Sequence, residues 1–349
     1  MKTKNKFPYE WTLKEASFTK DKGKVFSCFS CGGGSTMGYK LAGFDVIGCN
    51  EIDPKMMGAY IENHNPRFPF LESIETFKDR KDLPAELYDL DILDGSPPCS
   101  SFSMSGSREK EWGKEKKFRE GQANQVLDRL FFDFIDLAKE LQPRVVVAEN
   151  VKGMLLGEAT KYVNEILISF NEAGYYVNYK LLDASTMGVP QRRERVFFYA
   201  IRKDLHNGEF EDLFQTEPSL NLEFDERKIP FEKISTGEGK PVSAAIKELL
   251  THRKESENCL AQTHERIHGK RKHFNTMIND GNKPCYTITS GSQVTFNGLY
   301  LCDAELKLCG TYPTDYNFLK NGVSYLIGMS VPPVMTAQVA SRIYEQWLT

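Results

Sequence analysis

Over the first two hundred residues, short apolar runs alternate with segments whose apolar side chains recur every three or four positions. Val25–Ser30 predicts a buried strand running into Cys31-Gly32-Gly33-Gly34. Ser35–Ala42 then carries Met37, Leu41 and Ala42 at helix-compatible positions, and Val46–Cys49 returns to a strand that ends at Asn50-Glu51. A strand, a glycine turn, a helix and a strand, in that order, predict a parallel α/β sheet. Leu90–Leu93 predicts a further strand, ending in the turn Asp94-Gly95-Ser96-Pro97-Pro98-Cys99. Asn124–Glu140 has the broad apolar stripe of a helix, and after Pro143 the run Val145–Ala148 predicts a strand that delivers Glu149-Asn150 to its end. Tyr162–Ala173 predicts another helix and Arg195–Ile201 another strand.

Elsewhere the pattern changes. Ser105–Gln122 is polar and heavily charged, with Gly106, Gly113 and Gly121 along it, and is expected to be a mobile loop. Between Arg202 and Leu319 the alternation weakens and Gly, Pro, Lys and His become prominent, which predicts a second, less regular domain. Tyr325–Met329 reads as a strand or turn, and Pro332-Pro333 marks the start of a terminal helix, Val334–Leu348, that returns to the core. The expected division is a basic extension at 1–24, an α/β domain at 25–201, a smaller irregular domain at 202–319 and a C-terminal segment at 320–349.

Composition narrows the class. A chain of 349 residues with 40% hydrophobic and 27% charged residues can bury a substantial core, so disorder is not expected. No early apolar run has the form of a signal peptide or membrane span, and an intracellular protein without membrane contact is expected. Eight cysteines are scattered at 28, 31, 49, 99, 259, 285, 302 and 309, a spread that suggests reduced thiols rather than a disulfide framework. The net charge of −3 gives no global argument for a polyanionic partner. Positive charge is nevertheless uneven: Met1–Lys24 holds seven lysines against three acids, and Thr251–Asn275 holds six Lys or Arg, three Glu and four His. Such local faces can track a phosphate backbone.

Several residues could carry chemistry, each with a plainer alternative. Gly32, Gly33 and Gly34, between strand and helix, would let backbone amides approach a cofactor, or would serve only as a tight turn. Glu51, 19 residues after Gly32, is placed to hold ribose hydroxyls of a nucleoside-containing cofactor, which leaves a dinucleotide and S-adenosylmethionine equally open. Cys99 follows two prolines at the carboxyl end of a strand, where active sites on such sheets form; taken alone, a buried structural cysteine fits it as well. Glu149 could present a carboxyl group to the same edge, and Asn150 could equally be a helix cap. Gln191, Arg193 and Arg195 alternate, so on one strand they would share a face suited to a base carbonyl, a phosphate or a carboxylate.

In their order along the chain, from Val25 to Ile343, these residues resemble the cytosine-C5 DNA methyltransferases. Cys28–Gly34 is similar to the family's cofactor loop, Glu51 to its ribose carboxylate, Gly95–Ser103 to its catalytic loop, Glu149-Asn150-Val151 to its base-contacting segment and Gln191–Arg195 to its paired-arginine motif. Gly328–Pro332 resembles the near-terminal motif that helps close the cofactor pocket, and Thr287–Gly291 resembles part of the recognition-domain boundary. The resemblance implies a Rossmann-like, parallel-sheet methyltransferase core with a smaller, irregular target-recognition domain. It implies catalytic roles for Cys99, Glu149, Arg193 and Arg195. It implies cofactor contacts from Phe29, Cys31, Gly32, Gly33, Gly34, Glu51, Ile52, Ser73, Ile74, Pro97, Leu130, Met329, Ser330 and Val331, and DNA contacts from Ser101, Arg108, Lys110 and Gln191. Three positions depart from the family pattern, Cys31 for Gly, Ser73 for Asp and Met329 for Asn; they bear on the cofactor grip more than on the chemistry.

The resemblance further implies that a cytosine is flipped from duplex DNA, that Cys99 adds to C6, and that C5 takes the methyl group of S-adenosylmethionine, leaving S-adenosylhomocysteine. A monomer in the cytoplasm or nucleoid of a prokaryote, or encoded by a phage, is expected, with any cognate restriction endonuclease acting separately. No metal is expected: His264, His268 and His273 with Cys259 and Cys285 lack paired-cysteine spacing. An RNA cytosine methyltransferase and a catalytically silent DNA-binding protein of the same fold are the competing readings.

Overall fold

The computed structural model describes residues 5–98, 129–157, 159–206, 218–270, 276–291 and 293–349. The described residues fall into two compact units, one drawn from 18–182, 194–223 and 337–349 and the other from 1–17, 183–193 and 224–336. Each is assembled from separated stretches of chain.

The first unit is built on a seven-stranded sheet of order β3-β2-β1-β4-β5-β7-β6. Its strands are β1 (Lys24–Cys28), β2 (Asp45–Glu51), β3 (Phe68–Leu71), β4 (Ile92–Gly95), β5 (Val145–Val151), β6 (Tyr175–Asp183) and β7 (Glu194–Arg202). From β3 to β5 all neighbours are parallel, whereas β7 runs antiparallel to β5. Strands β3 to β5 form the parallel α/β sheet that the alternation of elements suggested, and the antiparallel β7 makes the whole sheet mixed. Strands covered on both faces read as nearly unbroken apolar runs, and Phe26, Ile92, Leu93 and Val145–Ala148 are all buried.

Helices α1 (Gly34–Ala42), α2 (Pro54–His64), α3 (Ile74–Phe77), α4 (Leu130–Leu141) and α5 (Ala159–Glu172) join these strands. Helix α4 buries Leu130, Phe131, Phe134, Ile135, Leu137, Ala138 and Leu141, the stripe read from the sequence; the part of that reading before 129 lies outside the described residues. Helix α2 starts by rule: Asp53 accepts from the amides of Lys55 and Met56, and Pro54 occupies the first turn, where no amide is needed.

The second unit holds a three-stranded sheet of order β10-β9-β8, made from β8 (Thr276–Ile278), β9 (Gln293–Phe296) and β10 (Leu299–Tyr300). Helices α6 (Ala244–Thr251), α7 (Leu260–His268), α8 (Asp303–Cys309) and α9 (Val323–Met329) accompany it. Helix α9 corrects the strand or turn expected for Tyr325–Met329: an apolar run this short does not reveal its period. The N-terminal residues are part of this unit, with Trp11 Nε1 donating to the Thr311 carbonyl and Asp315 accepting from the amides of Leu13 and Lys14. Pro333 opens α10 (Pro333–Ile343), as the proline pair predicted. Val323–Leu348 has the length and hydropathy of a membrane span, yet 72% of that window is buried inside the protein, as for a core segment.

Candidate active site

The order of the first sheet reverses between β1 and β4: the chain proceeds from β1 outward to β2 on one side and from β4 to β5 on the other. Ligands of open α/β sheets bind beyond the carboxyl ends of strands at such a switch point. The turn after β1 is strongly constrained, with φ of 51° at Phe29, 47° at Cys31 and 80° at Gly33. A left-handed conformation is costly for the first two, so the surrounding structure must hold them there. At Gly33 a Cβ would stand 2.0 Å from His64 Nε2, so this residue is glycine for lack of room as well as for its dihedral. Gly33 precedes α1 without a side-chain cap, which leaves first-turn amides available to an acceptor.

Glu51 closes β2 beside this turn. It is buried, and its carboxylate accepts from the amides of Cys31 (2.7 Å), Ile52 (2.8 Å) and Asp53 (2.8 Å). Burial pushes its pKa up, against the pull of those amides. Two of the donors reach Oε1 and one Oε2, so among the described residues one acceptor position on Oε2 is left for a ligand hydroxyl. Phe29 is half-buried, Ile74 is buried at the start of α3, and Leu130 is buried at the start of α4. Ser73 caps α3, its hydroxyl accepting from the amide of Thr76. A constrained glycine turn, a buried carboxylate with spare acceptor capacity and apolar side chains at one sheet edge fit a nucleoside-bearing group.

A second group of predicted site residues lies one strand further on. Glu149 is the fifth residue of β5, which continues to Val151 and does not stop at Ala148. In the antiparallel register Glu149 faces Phe197 and Val151 faces Arg195, so Glu149 and Arg195 are diagonal neighbours on one face. Arg195 Nε is 2.8 Å from Glu149 Oε1, and both side chains are nearly buried. Burial lowers the pKa of the Arg195 guanidinium, and Glu149 opposes that shift. The pair is anchored at its other end, since Arg195 Nη1 donates to the Glu194 carbonyl.

Asn150, read from the sequence as a possible cap, does something else. Its Nδ2 donates to the carbonyl of Pro97 at 3.0 Å, and its Oδ1 accepts from the amide of Val151. It ties the end of β5 to the Pro97-Pro98 turn that leads into Cys99. Cys99, Ser101, Arg108 and Lys110, with the whole Ser105–Gln122 segment, lie outside the described residues.

The other two members of the alternating motif are placed differently from the expectation that all three share a strand face. Strand β7 starts at Glu194, so Gln191 and Arg193 precede it and belong to the second unit, whereas Arg195 belongs to the first. Gln191 is fully buried; its Nε2 donates to the Cys309 carbonyl and its Oε1 accepts from the Ile288 amide. Arg193 is equally buried and donates to three carbonyls, those of Ile288, Gly328 and Ser330, at 2.7–2.9 Å. It thereby holds the segment that contains Met329, Ser330 and Val331, of which Met329 is exposed and the other two buried. Gly328 is required there, since a Cβ would come within 2.4 Å of the Ser290 amide nitrogen.

The sequence reading missed Asn150 as a tether, His64 as the wall behind Gly33, and Asp94. Asp94 was placed in the turn after Leu90–Leu93, whereas it lies within β4. Among the described residues no group of three or more His, Cys, Asp and Glu could hold a metal ion. His264 stacks on His268 and contacts the Lys270 carbonyl, Cys259 caps α7, and His273 lies outside the described residues.

The likeness to known proteins agrees with this geometry. Residues 23–345 match the family described as C-5 cytosine-specific DNA methylase. The type II methyltransferase M.FnuDI of Fusobacterium nucleatum is 32% identical over 278 residues, which cover 77% of this chain and 72% of that protein. The orphan methyltransferase M.Rho11sI of Bacillus phage rho11s is 34% identical over 184 residues, 52% of this chain but only 33% of the phage protein. Among solved structures, a protein described as a DNA modification methyltransferase encoded within an E. coli prophage superposes with a TM-score of 0.63 at 20% identity, covering 93% of this chain and 99% of that one. That last likeness concerns the fold alone. With most of its length matched to the family, and M.FnuDI matched over more than two thirds of both chains, this chain belongs to the C-5 cytosine-specific DNA methylases, a family of S-adenosylmethionine-dependent methyltransferases.

Proposed function

We propose that this chain methylates C5 of a cytosine within a specific duplex DNA sequence, with Cys99 as the covalent nucleophile and the base flipped out of the helix. The observation that carries the reading is the nearly buried Glu149–Arg195 pair on β5 and β7, one strand from β4, which leads through Gly95 and Pro97 to Cys99. A paired carboxylate and guanidinium in low-dielectric surroundings form a preorganised hydrogen-bonding edge. Arg195 binds the O2 side of the cytosine and orients Glu149, which meets the N3 side. The Cys99 thiolate forms a bond to C6, and the charge that this addition places on the ring is met at N3 by Glu149. Loss of the C5 proton to a base then allows elimination, which frees Cys99.

S-adenosylmethionine supplies an electrophilic methyl group. The residues proposed to hold it are Phe29, Cys31, Gly32, Gly33, Gly34, Glu51, Ile52, Ser73, Ile74, Pro97 and Leu130, and the cofactor role that the resemblance implies for Met329, Ser330 and Val331 is proposed as well. Glu51 offers Oε2 to a ribose hydroxyl, and the amides at the start of α1 offer donors to an anionic group. Gln191 and Arg193 act through the backbone they fix, whereas Ser101, Arg108 and Lys110 contact DNA. The second unit, with its share of 202–319, reads the target sequence. The enzyme acts as a monomer inside a prokaryotic cell or in phage infection, separately from any cognate restriction endonuclease.

The experiment is incubation of the protein with methyl-labelled S-adenosylmethionine and either sequence-diverse duplex DNA or structured RNA, followed by mapping of modified bases at single-base resolution. C5-methylated cytosine in one DNA sequence context, abolished by Cys99→Ala, is the expected result. Transfer confined to RNA, transfer that persists in Cys99→Ala, or no transfer at all refutes it.

A further inference from the structure

Asp94 is an anomaly in its strand. All four residues of β4 are buried between two parallel neighbours at the centre of the sheet, yet this strand carries a carboxylate. Both oxygens of the carboxylate are engaged. Its Oδ2 accepts from Ser27 Oγ at 2.8 Å and from Ser35 Oγ at 2.8 Å, and its Oδ1 accepts from Tyr39 OH at 3.2 Å. Ser27 is on β1, directly opposite Asp94 in the parallel register. Ser35 and Tyr39 are on α1, one turn apart and so on one helix face. One side chain therefore ties two central strands to the first two turns of the helix that follows the glycine turn.

Burial nonetheless wins over the three hydroxyl donors and raises the Asp94 pKa to about 6, with the Glu149 carboxylate acting in the same direction. Near neutral pH a charge is thus kept in the sheet at a cost. An apolar residue would fill a central strand at no such cost, so the carboxylate calls for a role beyond packing.

We propose that Asp94 is a positioning residue for the cofactor: through Ser27, Ser35 and Tyr39 it fixes the glycine turn 32–34 against the carboxyl ends of β1 and β4. The turn cannot supply this rigidity itself. It has no side-chain cap at Gly33, and the left-handed residues Phe29 and Cys31 are held against their own preference. A clamp on α1 immediately downstream keeps the open first-turn amides and the Cys31–Glu51 hydrogen bond in one geometry before any ligand arrives. The inference rests on the methyltransferase reading of this sheet edge.

The test uses the full chain. Binding of S-adenosylhomocysteine is measured by calorimetry, and steady-state methyl transfer is measured with S-adenosylmethionine and unmethylated, sequence-diverse duplex DNA. Asp94→Asn keeps the shape but offers one acceptor oxygen in place of two. It is expected to raise Kd for S-adenosylhomocysteine and KM for S-adenosylmethionine about tenfold, while kcat stays within about twofold. Ser35→Ala and Tyr39→Phe each remove one donor and are expected to weaken binding about two- to fourfold, with no further loss when either is added to Asp94→Asn. Binding by Asp94→Asn within twofold of the unchanged protein overturns the inference, as do Ser35→Ala and Tyr39→Phe effects that add in full to it. If Asp94→Asn does not fold, unaltered binding in both single hydroxyl variants overturns it instead. An unchanged protein that neither binds S-adenosylhomocysteine nor transfers methyl groups overturns the methyltransferase reading as well, an outcome separate from the others.

Discussion

Replacing Gly33 by alanine probes the constraint on which the glycine turn depends. Gly33 has φ 80°, and an added Cβ would meet His64 Nε2 at 2.0 Å, Cδ2 at 2.6 Å and Cε1 at 3.0 Å. The ring has little freedom to retreat: it is buried, its centroid lies 4.5 Å from that of Tyr60, and it hydrogen-bonds the backbone of Gly32. A left-handed alanine costs about 1–2 kcal/mol, and forcing a methyl group into an occupied site costs about 1–3 kcal/mol more. The sum, about 2–5 kcal/mol, corresponds to a melting transition lowered by roughly 5–15 °C for a unit of this size. Because the chain has two units, the comparison is of one transition followed by circular dichroism in both proteins rather than of an extrapolated free energy. The double variant Gly33→Ala/His64→Ala separates the two contributions: removing the ring relieves the overlap and leaves the dihedral cost, so the double variant is less damaged than the sum by about 1–3 kcal/mol. Additive effects would show that the ring is not the obstacle. A Gly33→Ala protein that melts within about 1 °C of the unchanged one would refute both parts of the reasoning.

Glu149→Gln preserves volume but removes the charge that Arg195 pairs with; methyl transfer is expected to fall by at least about a hundredfold with S-adenosylhomocysteine binding unchanged, as read by radiolabel transfer and calorimetry. The Asp94 carboxyl, raised from 3.8 to about 6, binds its proton more tightly in the folded protein than in the unfolded chain. Its contribution to stability is therefore fully present below about pH 4 and lost as pH rises through about 6, a swing of about 3 kcal/mol that Asp94→Asn removes. The neighbouring Cys28, Tyr39 and Tyr60 are shifted upward, away from that window, and the Glu149 carboxylate is present in both proteins, so the difference in melting temperature between them from pH 4 to 8 isolates Asp94. Changing Arg108, Lys110 and Lys114 to Gln is expected to weaken DNA binding at low salt and to flatten the slope of log K against log salt by about 0.9 for each phosphate that is no longer neutralised; an unchanged slope rules these side chains out as phosphate partners.

The first unit was legible in the sequence because parallel strands and their helices write strong periods. Val25–Ser30, Val46–Cys49 and Val145–Ala148 all became strands, within a few residues of the expected ends. Helix α2 went unread because its buried stripe, Met56, Met57, Tyr60 and His64, includes a histidine while the apolar Ile61 is exposed, and β6 because Tyr175–Asp183 places exposed Asn178 and Tyr179 at its centre. The strand–helix confusion at Tyr325–Met329 arose because so short an apolar run does not reveal its period. The composition of the units rests instead on contacts between residues far apart in sequence, such as Trp11 with Thr311, which local periodicity does not encode. Candidate residues were easier to place than their supports: Glu51, Glu149 and Arg195 stand at or near strand ends, as expected, but nothing local marks Asn150 as the partner of Pro97 or His64 as the neighbour of Gly33.

Two arginines separated by one residue illustrate how far alternation can mislead. Arg193 donates to three neutral carbonyls and Arg195 pairs with one carboxylate, so the same side chain serves a structural purpose at one position and an electrostatic one at the other. Lysine should separate them. An ammonium at 193 keeps the charge but cannot span the carbonyls of Ile288, Gly328 and Ser330, so buried acceptors and a buried charge are left poorly matched, at a cost of about 3–5 kcal/mol. At 195 an ammonium can keep the contact to Glu149 and gives up only the Nη1 bond to the Glu194 carbonyl, an expected stability loss of about 1 kcal/mol. Arg193→Lys should therefore lower the melting temperature by roughly ten degrees and expose the Gly328–Ser330 segment to proteolysis, whereas Arg195→Lys should melt almost normally and lose methyl transfer through kcat. Equal melting temperatures for the two variants would mean that the three carbonyl contacts do not hold this segment, and that Arg193 acts, like Arg195, through its charge.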